Sequence, residues 1–198
     1  MSHYFSKEQK SPLRLSKITA NLRNNQFEFY TGSGVFSLKK VDKGTILLIE
    51  NSTIKPNWKI LDLGCGYGPV GISIAKSFPE TKVLMTDVNK RAIKLAKMSI
   101  ELNKTANVET KCSDKFEKID QNFDTILLNP PQTAGKQLCF EMIEGSKSHL
   151  ERNGLLQLVA RHNKGGKDLS KKMNEVFGNV KETAKGSGYR IYVSEKTN

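Results

Sequence analysis

The 198-residue sequence has little of what would staple a chain together or anchor it in a membrane. Its three cysteines, Cys65, Cys112 and Cys139, are odd in number and widely spaced. That spacing excludes a disulfide framework and a paired thiolate metal site, and reduced thiols are expected. Histidine is as scarce: His3, His149 and His162 are scattered, which supports neither a zinc centre nor a hydrolytic triad. His149, on an apolar helix, reads as structural. No apolar run is long enough to cross a bilayer, and the stretch from Met1 to Lys7 lacks the apolar centre of a signal peptide. A cytoplasmic protein with no membrane partner and a plausible monomer is the expectation. There is no internal repeat and no low-complexity linker, so one domain spans 1–198. Acid is also in short supply: 20 acidic against 32 basic residues leave a formal net charge of +12. Such an excess attracts polyanions, with nucleic acid the natural partner, although a charged, soluble surface alone gives the same count. Lys7, Lys10, Arg14, Lys17 and Arg23, opposed only by Glu8, make residues 1–25 a basic arm expected to contact RNA.

What the chain does contain is concentrated in the run Lys59-Ile60-Leu61-Asp62-Leu63-Gly64-Cys65-Gly66-Tyr67-Gly68-Pro69. Ile60, Leu61 and Leu63 read as a buried strand, the glycines as a tight turn, and Pro69 as the first turn of a helix. Such a loop lets a ligand approach the backbone and offers it unpaired N–H groups. A dinucleotide site wants a glycine three residues after Gly66, where this chain has Pro69. Asp62 at the strand end would repel a pyrophosphate and welcome an ammonium or sulfonium. The ligand is expected to be cationic on that side.

Beyond this unit the pattern alternates. Lys82 to Asp87 reads as a strand, Ala92, Ile93, Ala96 and Ile100 fall at helical spacing, and Val108–Cys112 and Phe123–Leu128 are strands. A helix from about Lys136 to Leu150, a strand Leu155–Val159 and a helix near Gly166 to Phe177 follow. Val180–Ala184 and Tyr189–Val193, separated by Lys185-Gly186-Ser187-Gly188, read as a hairpin. The fold class is α/β, a doubly wound, mostly parallel Rossmann-like sheet closed by an antiparallel hairpin. Residues 26–58 read as a small appendage: a strand over Gln26–Tyr30, the turn Thr31-Gly32-Ser33-Gly34, and a helix involving Ile46–Ile49. Residues 59–198 form the core.

Asn129-Pro130-Pro131-Gln132 follows the strand ending at Leu128, and ligands bind outside the carboxyl ends of such strands. The prolines stiffen the chain and supply no N–H. The Asn129 side-chain oxygen and the Pro130 carbonyl are then two fixed acceptors, matching the two N–H bonds of a planar amino group. A loop that merely turns the chain is the plainer alternative.

The Asp-x-Gly-x-Gly-x-Gly pattern of Asp62 to Gly68 resembles the first motif of class I methyltransferases, which bind S-adenosylmethionine. The resemblance implies a cofactor site at Gly64, Cys65, Gly66, Tyr67 and Gly68, with Asp87 and Val88 on the next strand placing a carboxylate on the ribose hydroxyls; a helix cap is the alternative for Asp87. Asn129-Pro130-Pro131 is similar to methyltransferases that modify amino or amide nitrogens, whose fourth position often carries a stacking aromatic. Here it is Gln132, and Tyr30, Phe36, Tyr67 or Tyr189 are the candidate replacements.

Gly34-Val35-Phe36-Ser37, Asp42-Lys43-Gly44-Thr45 with Leu47-Leu48, and the two motifs above together resemble the catalytic half of the bacterial small-subunit rRNA guanine-N2 methyltransferase C family and its single-domain archaeal relatives. That implies Phe36 and Asp114 beside the cofactor, Asp114 being an ordinary turn residue otherwise. It also implies guanine N2 in ribosomal RNA as the target and recognition by the basic arm in place of an extra N-terminal half. Transfer RNA guanine, adenine N6, protein glutamine and a noncatalytic RNA-binding role stand as alternatives. A nicotinamide enzyme is disfavoured by Asp62, Pro69 and the final hairpin.

Overall fold

The structure is a computed structural model that describes residues 6–9 and 12–197; His3 and Lys10 lie outside them. Near-continuous apolar runs such as Ile60-Leu61 and Ile126-Leu127-Leu128 are what a parallel strand buried on both faces requires. They form β3 (Lys59–Leu63) and β6 (Phe123–Leu128), neighbours at the centre of a seven-stranded sheet. On one side of β3 lie β4 (Lys82–Asp87) and then β5 (Val108–Cys112). On the far side of β6 lie β7 (Leu150–Arg161), β9 (Tyr189–Glu195) and, at the edge, β8 (Lys181–Gly186). Strands β3 to β7 are parallel, and β9 runs antiparallel to both β7 and β8. The β8–β9 pairing slips register between Glu182 and Ala184. The chain winds outward from β3 in one direction and from β6 in the other, so a crevice opens at their carboxyl ends.

Successive residues of each strand feed opposite layers. Ile60 and Leu127 enter the apolar cluster under α1 (Lys43–Asn51), α2 (Pro69–Ser77) and α3 (Lys90–Asn103). Leu61, Leu63, Ile126 and Leu128 enter the opposite cluster, under α4 (Lys136–Ser148) and α5 (Lys167–Phe177). The expected doubly wound sheet and its closing hairpin are both present.

The N-terminal segment differs from the expectation. The boundary placed between residues 25 and 26 falls inside a hairpin of β1 (Leu15–Leu22) and β2 (Asn25–Gly32). Arg23 and Asn24 both take positive φ, 45° and 59°, the two-residue turn whose twist suits antiparallel strands. Phe27 and Phe29 are fully buried, and β2 is tied to α3 by Tyr30 N–H on Ser99 Oγ and Asn103 Nδ2 on the Glu28 carbonyl. The basic residues of this arm are in part already engaged. Arg23 donates to the carbonyls of Ile49 and Ser52 at 2.6 and 2.7 Å, where the end of α1 leaves carbonyls unpaired. Lys17 pairs with Glu28, and the Lys7 carbonyl accepts from Lys90 N. The periodicity of residues 15–22 was masked by their polarity: β1 pairs with β2 as the outer strand of the hairpin, with most of its side chains in solvent.

Candidate active site

The glycine loop turns left-handed at Gly64, Gly66 and Gly68, with φ of 76°, 58° and 95°. At Gly66 no atom would meet an added Cβ, so that glycine answers to backbone conformation and leaves open space above the loop. Gly64 and Cys65 N–H both donate to the Thr86 carbonyl at 2.8 Å, and Pro69 opens α2 as expected. Gly71 performs the close packing for which position 69 carries no glycine. A Cβ there would collide with Met85, and its N–H donates to Asp62 Oδ2 at 2.9 Å.

Asp62 is 3% exposed on the central strand. Burial pushes its carboxyl up to about 7, against the Gly71 hydrogen bond, and the nearby Asp87 pushes it further the same way. Asp87, at the end of β4, accepts from Gly66 N (2.9 Å) and Asn89 N (2.8 Å); its pKa is raised by burial and drawn back by these bonds. Asn89, not Asp87, caps α3 by accepting from Arg91 and Ala92 N–H. The capping alternative for Asp87 is thereby removed. Cys65 is buried, and its thiol is pushed well up by burial and the two carboxylates. That removes it as a nucleophile.

Asp62, Gly64, Cys65, Gly66, Asp87 and Asn89 line one cavity of about 730 Å³, together with Phe36, Tyr67, Val88, Asp114, Asn129, Pro130 and Pro131. The site residues expected from sequence are therefore brought to a single crevice, except Gly68, which forms the left-handed N-terminal cap of α2 and does not line it. The aromatic candidates separate clearly. Tyr67 is buried, edge-on to Phe29; Tyr189 is buried with its hydroxyl engaged; Tyr30 is not among the lining residues. Phe36 lines the cavity and is 40% exposed.

Asn129 donates from Nδ2 to Thr45 Oγ1 at 2.9 Å, leaving Oδ1 unbonded among the described residues. The Pro130 carbonyl is less free than expected: it accepts from Gln132 N at 2.8 Å across Pro131, whose φ of −75° and ψ of 74° make a tight three-residue turn. Its second lone pair remains. Gln132, where an aromatic was looked for, bridges to the segment after β7. It donates to the Lys164 carbonyl and accepts from Arg161 N, both at 2.9 Å.

Thr45, Asp42, Gln132 and Arg161 were not among the residues singled out for a role. Asp42 Oδ2 accepts from Gly44 and Thr45 N–H and so fixes the start of α1. Its Oδ1 accepts from Tyr189, whose hydroxyl accepts from Arg161 Nε at 2.9 Å. The only hint in the sequence was the short run Asp42-Lys43-Gly44-Thr45, whose Asp and Thr fit a helix start.

The residues present suit a cationic nucleoside-like ligand. Two buried carboxylates share one wall, each with its proton affinity raised by burial and that of Asp62 raised further by Asp87; the glycine loop leaves its backbone uncovered, and the Thr86 hydroxyl on the same wall has no partner among the described residues. The volume also falls within the range of small-molecule sites.

Comparison with known proteins agrees. The family model for the methyltransferase small domain matches residues 26–193. A protein of Bacillus subtilis strain 168, YbxB, itself uncharacterised, is 39% identical over 98% of both chains. Ribosomal RNA small subunit methyltransferase C of Haemophilus influenzae strain PittGG is 33% identical over 80% of this chain. The present chain spans about half the length of that relative, 50%. A T. thermophilus 16S rRNA N2 methyltransferase in complex with AdoMet and guanosine superposes with a TM-score of 0.81 at 22% identity, covering 93% of this chain and 51% of that one. A methyltransferase from Pyrococcus furiosus gives 0.65 at 19% identity, covering 74% and 78%. Both superpositions speak for the fold. With the sheet, the glycine loop, the acidic wall and the family match in agreement, the chain belongs to the methyltransferase small domain family.

Proposed function

We propose that this protein is an S-adenosylmethionine-dependent methyltransferase acting on an exocyclic amino group of RNA, with guanine N2 of small-subunit ribosomal RNA as the target. The observation that carries the reading is the placement of Asn129, held through Nδ2 by Thr45, on the wall of the cavity that also contains Asp62 and Asp87. Asp87 and the glycine loop would hold the ribose and the chain of the cofactor, and Asp62 its positive end. When bound, the cofactor supplies an electrophilic methyl carbon.

The remaining work falls to this chain's own groups. An aromatic amine is a weak nucleophile because its lone pair is delocalised into the ring. Asn129 Oδ1 and the open lone pair of the Pro130 carbonyl accept its two N–H bonds and fix its direction. Both oxygens then stabilise the positive charge that grows on nitrogen, a contribution of positioning and preorganised dipoles. No base is needed beforehand, since the proton turns acidic only as the bond forms and then leaves to solvent, giving the neutral methylamino product. The raised thiols of Cys65 and Cys139, the latter pushed to about 11 by burial, take no part.

The similarity to ribosomal RNA methyltransferase C supports the substrate, and YbxB leaves its specificity open. The test is transfer of labelled methyl from S-adenosylmethionine to ribosomal RNA, followed by digestion to nucleosides. Label in N2-methylguanosine is the expected result. Label in N6-methyladenosine or in protein glutamine overturns the target while keeping the enzyme class.

A further inference from the structure

A second, shallower cavity of about 490 Å³ adjoins the first and shares Ser37, Asp42, Arg161, Lys164 and Tyr189 with it. Four cationic side chains line it: Lys40, Lys43, Arg161 and Lys164. Elsewhere Lys17, Lys90, Lys115, Lys136 and Lys172 each sit on a carboxylate. Lys40, Lys43 and Lys164 are exposed and have no acidic partner among the described residues. The one acid in this cavity, Asp42, already spends both oxygens on α1 and Tyr189, so it offers the lysines little.

The cations are also fixed relative to the Asn129 loop. Gln132 grips the backbone of both Arg161 and Lys164. The Arg161 guanidinium lies over the Tyr189 ring, 5.2 Å from its centre, with Nε on the tyrosine hydroxyl, leaving its outer nitrogens for a planar bidentate acceptor.

We propose that this trough is the phosphate track for the RNA strand bearing the target nucleotide: the base enters the deep cavity while the phosphates beside it lie on Lys40, Lys43, Arg161 and Lys164. The inference rests on the RNA reading above and moves the basic footprint away from the N-terminal arm, where Lys17 and Arg23 already have partners.

The test compares two double variants of equal charge change. Lys40→Glu/Lys43→Glu alters only residues of the shallow cavity, whereas Lys82→Glu/Lys97→Glu alters exposed residues that line neither cavity. Binding of a labelled single-stranded, guanine-containing RNA is measured against salt concentration, with S-adenosylmethionine affinity and melting temperature read alongside. The expected result for the trough variant is at least a tenfold loss of RNA affinity at low salt and a slope of log K on log salt flatter by about 0.7 per lost phosphate contact. Cofactor affinity and melting temperature should hold, and the control should lose much less. Equal losses in the two variants, or an unchanged slope in the trough variant, overturn the track. If the wild-type protein methylates ribosomal RNA while the trough variant binds RNA normally, the track alone falls. If the wild-type protein places label only in protein, the RNA reading falls and the track with it.

Discussion

The two sides of the deep cavity are fastened differently. On the β4 side the fixed points are backbone N–H groups on carboxylates: Gly71 on Asp62, nine residues apart, and Gly66 and Asn89 on Asp87, twenty-one and two residues apart. On the β6 side they are side chains reaching across the sequence. Asn129 meets Thr45 at a separation of 84 residues, Gln132 meets Lys164 at 32, and Tyr189 meets Asp42 at 147. The cofactor side is built within one strand–loop–helix unit and its successor, so it can be carried by a motif. The side proposed to take the substrate is assembled by tertiary contacts that share no hydrogen bond with the other among the described residues.

The sharpest way to probe this contrast is Asn129→Ala. In the proposed mechanism its oxygen acts on charge present only in the transition state, so turnover should fall by about 100- to 1,000-fold, as for one preorganised dipole. S-adenosylmethionine affinity by calorimetry should barely change. Turnover at the wild-type rate would remove the loop from the mechanism.

Asp87→Ala probes the other side. It should weaken S-adenosylmethionine binding by about tenfold or more, since a charged acceptor is lost and Gly66 and Asn89 lose theirs. Unchanged affinity in a folded variant would show that Asp87 serves only the loop. Were Asp87→Ala to lower turnover and leave binding intact, the division of labour between the two sides would be wrong.

Thr45→Val keeps the shape and removes the partner of Asn129 Nδ2. One hydrogen bond of about 1 kcal/mol corresponds to a roughly fivefold loss of turnover. Thr45→Ser should restore it, with cofactor affinity unchanged in both. A serine variant as slow as the valine one would assign Thr45 to packing.

The smallest effect concerns Asp62. Its carboxyl titrates near 7 in the folded protein, above an ordinary aspartate value of about 4. Between these values the folded state holds more protons than the unfolded one, so the contribution of this residue to stability falls as pH rises from about 4 to 7. Asp62→Asn should flatten that slope, leaving the share that Asp87, also raised by burial, contributes with the same sign. Cofactor-free protein at pH 8 should then melt no lower than wild type while binding S-adenosylmethionine more weakly. A melting-temperature profile whose slope is undiminished in the variant would place the titration on Asp87 or elsewhere.

The sequence was readable where local rules act alone. The runs Ile60 to Leu63 and Phe123 to Leu128 announce buried parallel strands, and the hairpin turn at Ser187-Gly188 could be placed from residue type. Asp62, Asp87 and Asn129 could be placed in one crevice because the strand-end rule needs only the order of strands, whereas Asp114 was expected there from the family resemblance alone. Strand β1 was hidden because its exposed polar residues carry no periodic apolar signal. Arg23 read as an RNA contact because charge says nothing of the two carbonyls it caps. Gln132 read as a missing aromatic because its partners lie 29 and 32 residues away.

The slipped register of β8 bears on how this chain behaves in a crowded solution. A strand at the border of a sheet offers a row of open N–H and C=O groups, the template on which a second molecule can pair and a fibre can start. Here that border carries Lys181, Glu182, Thr183 and Lys185 in solvent, and the slip between Glu182 and Ala184 breaks the even ladder that an incoming strand would need. The same irregular strand that closes the sheet thus discourages a neighbour from extending it, and keeps the apolar layers beneath from becoming the seed of an aggregate.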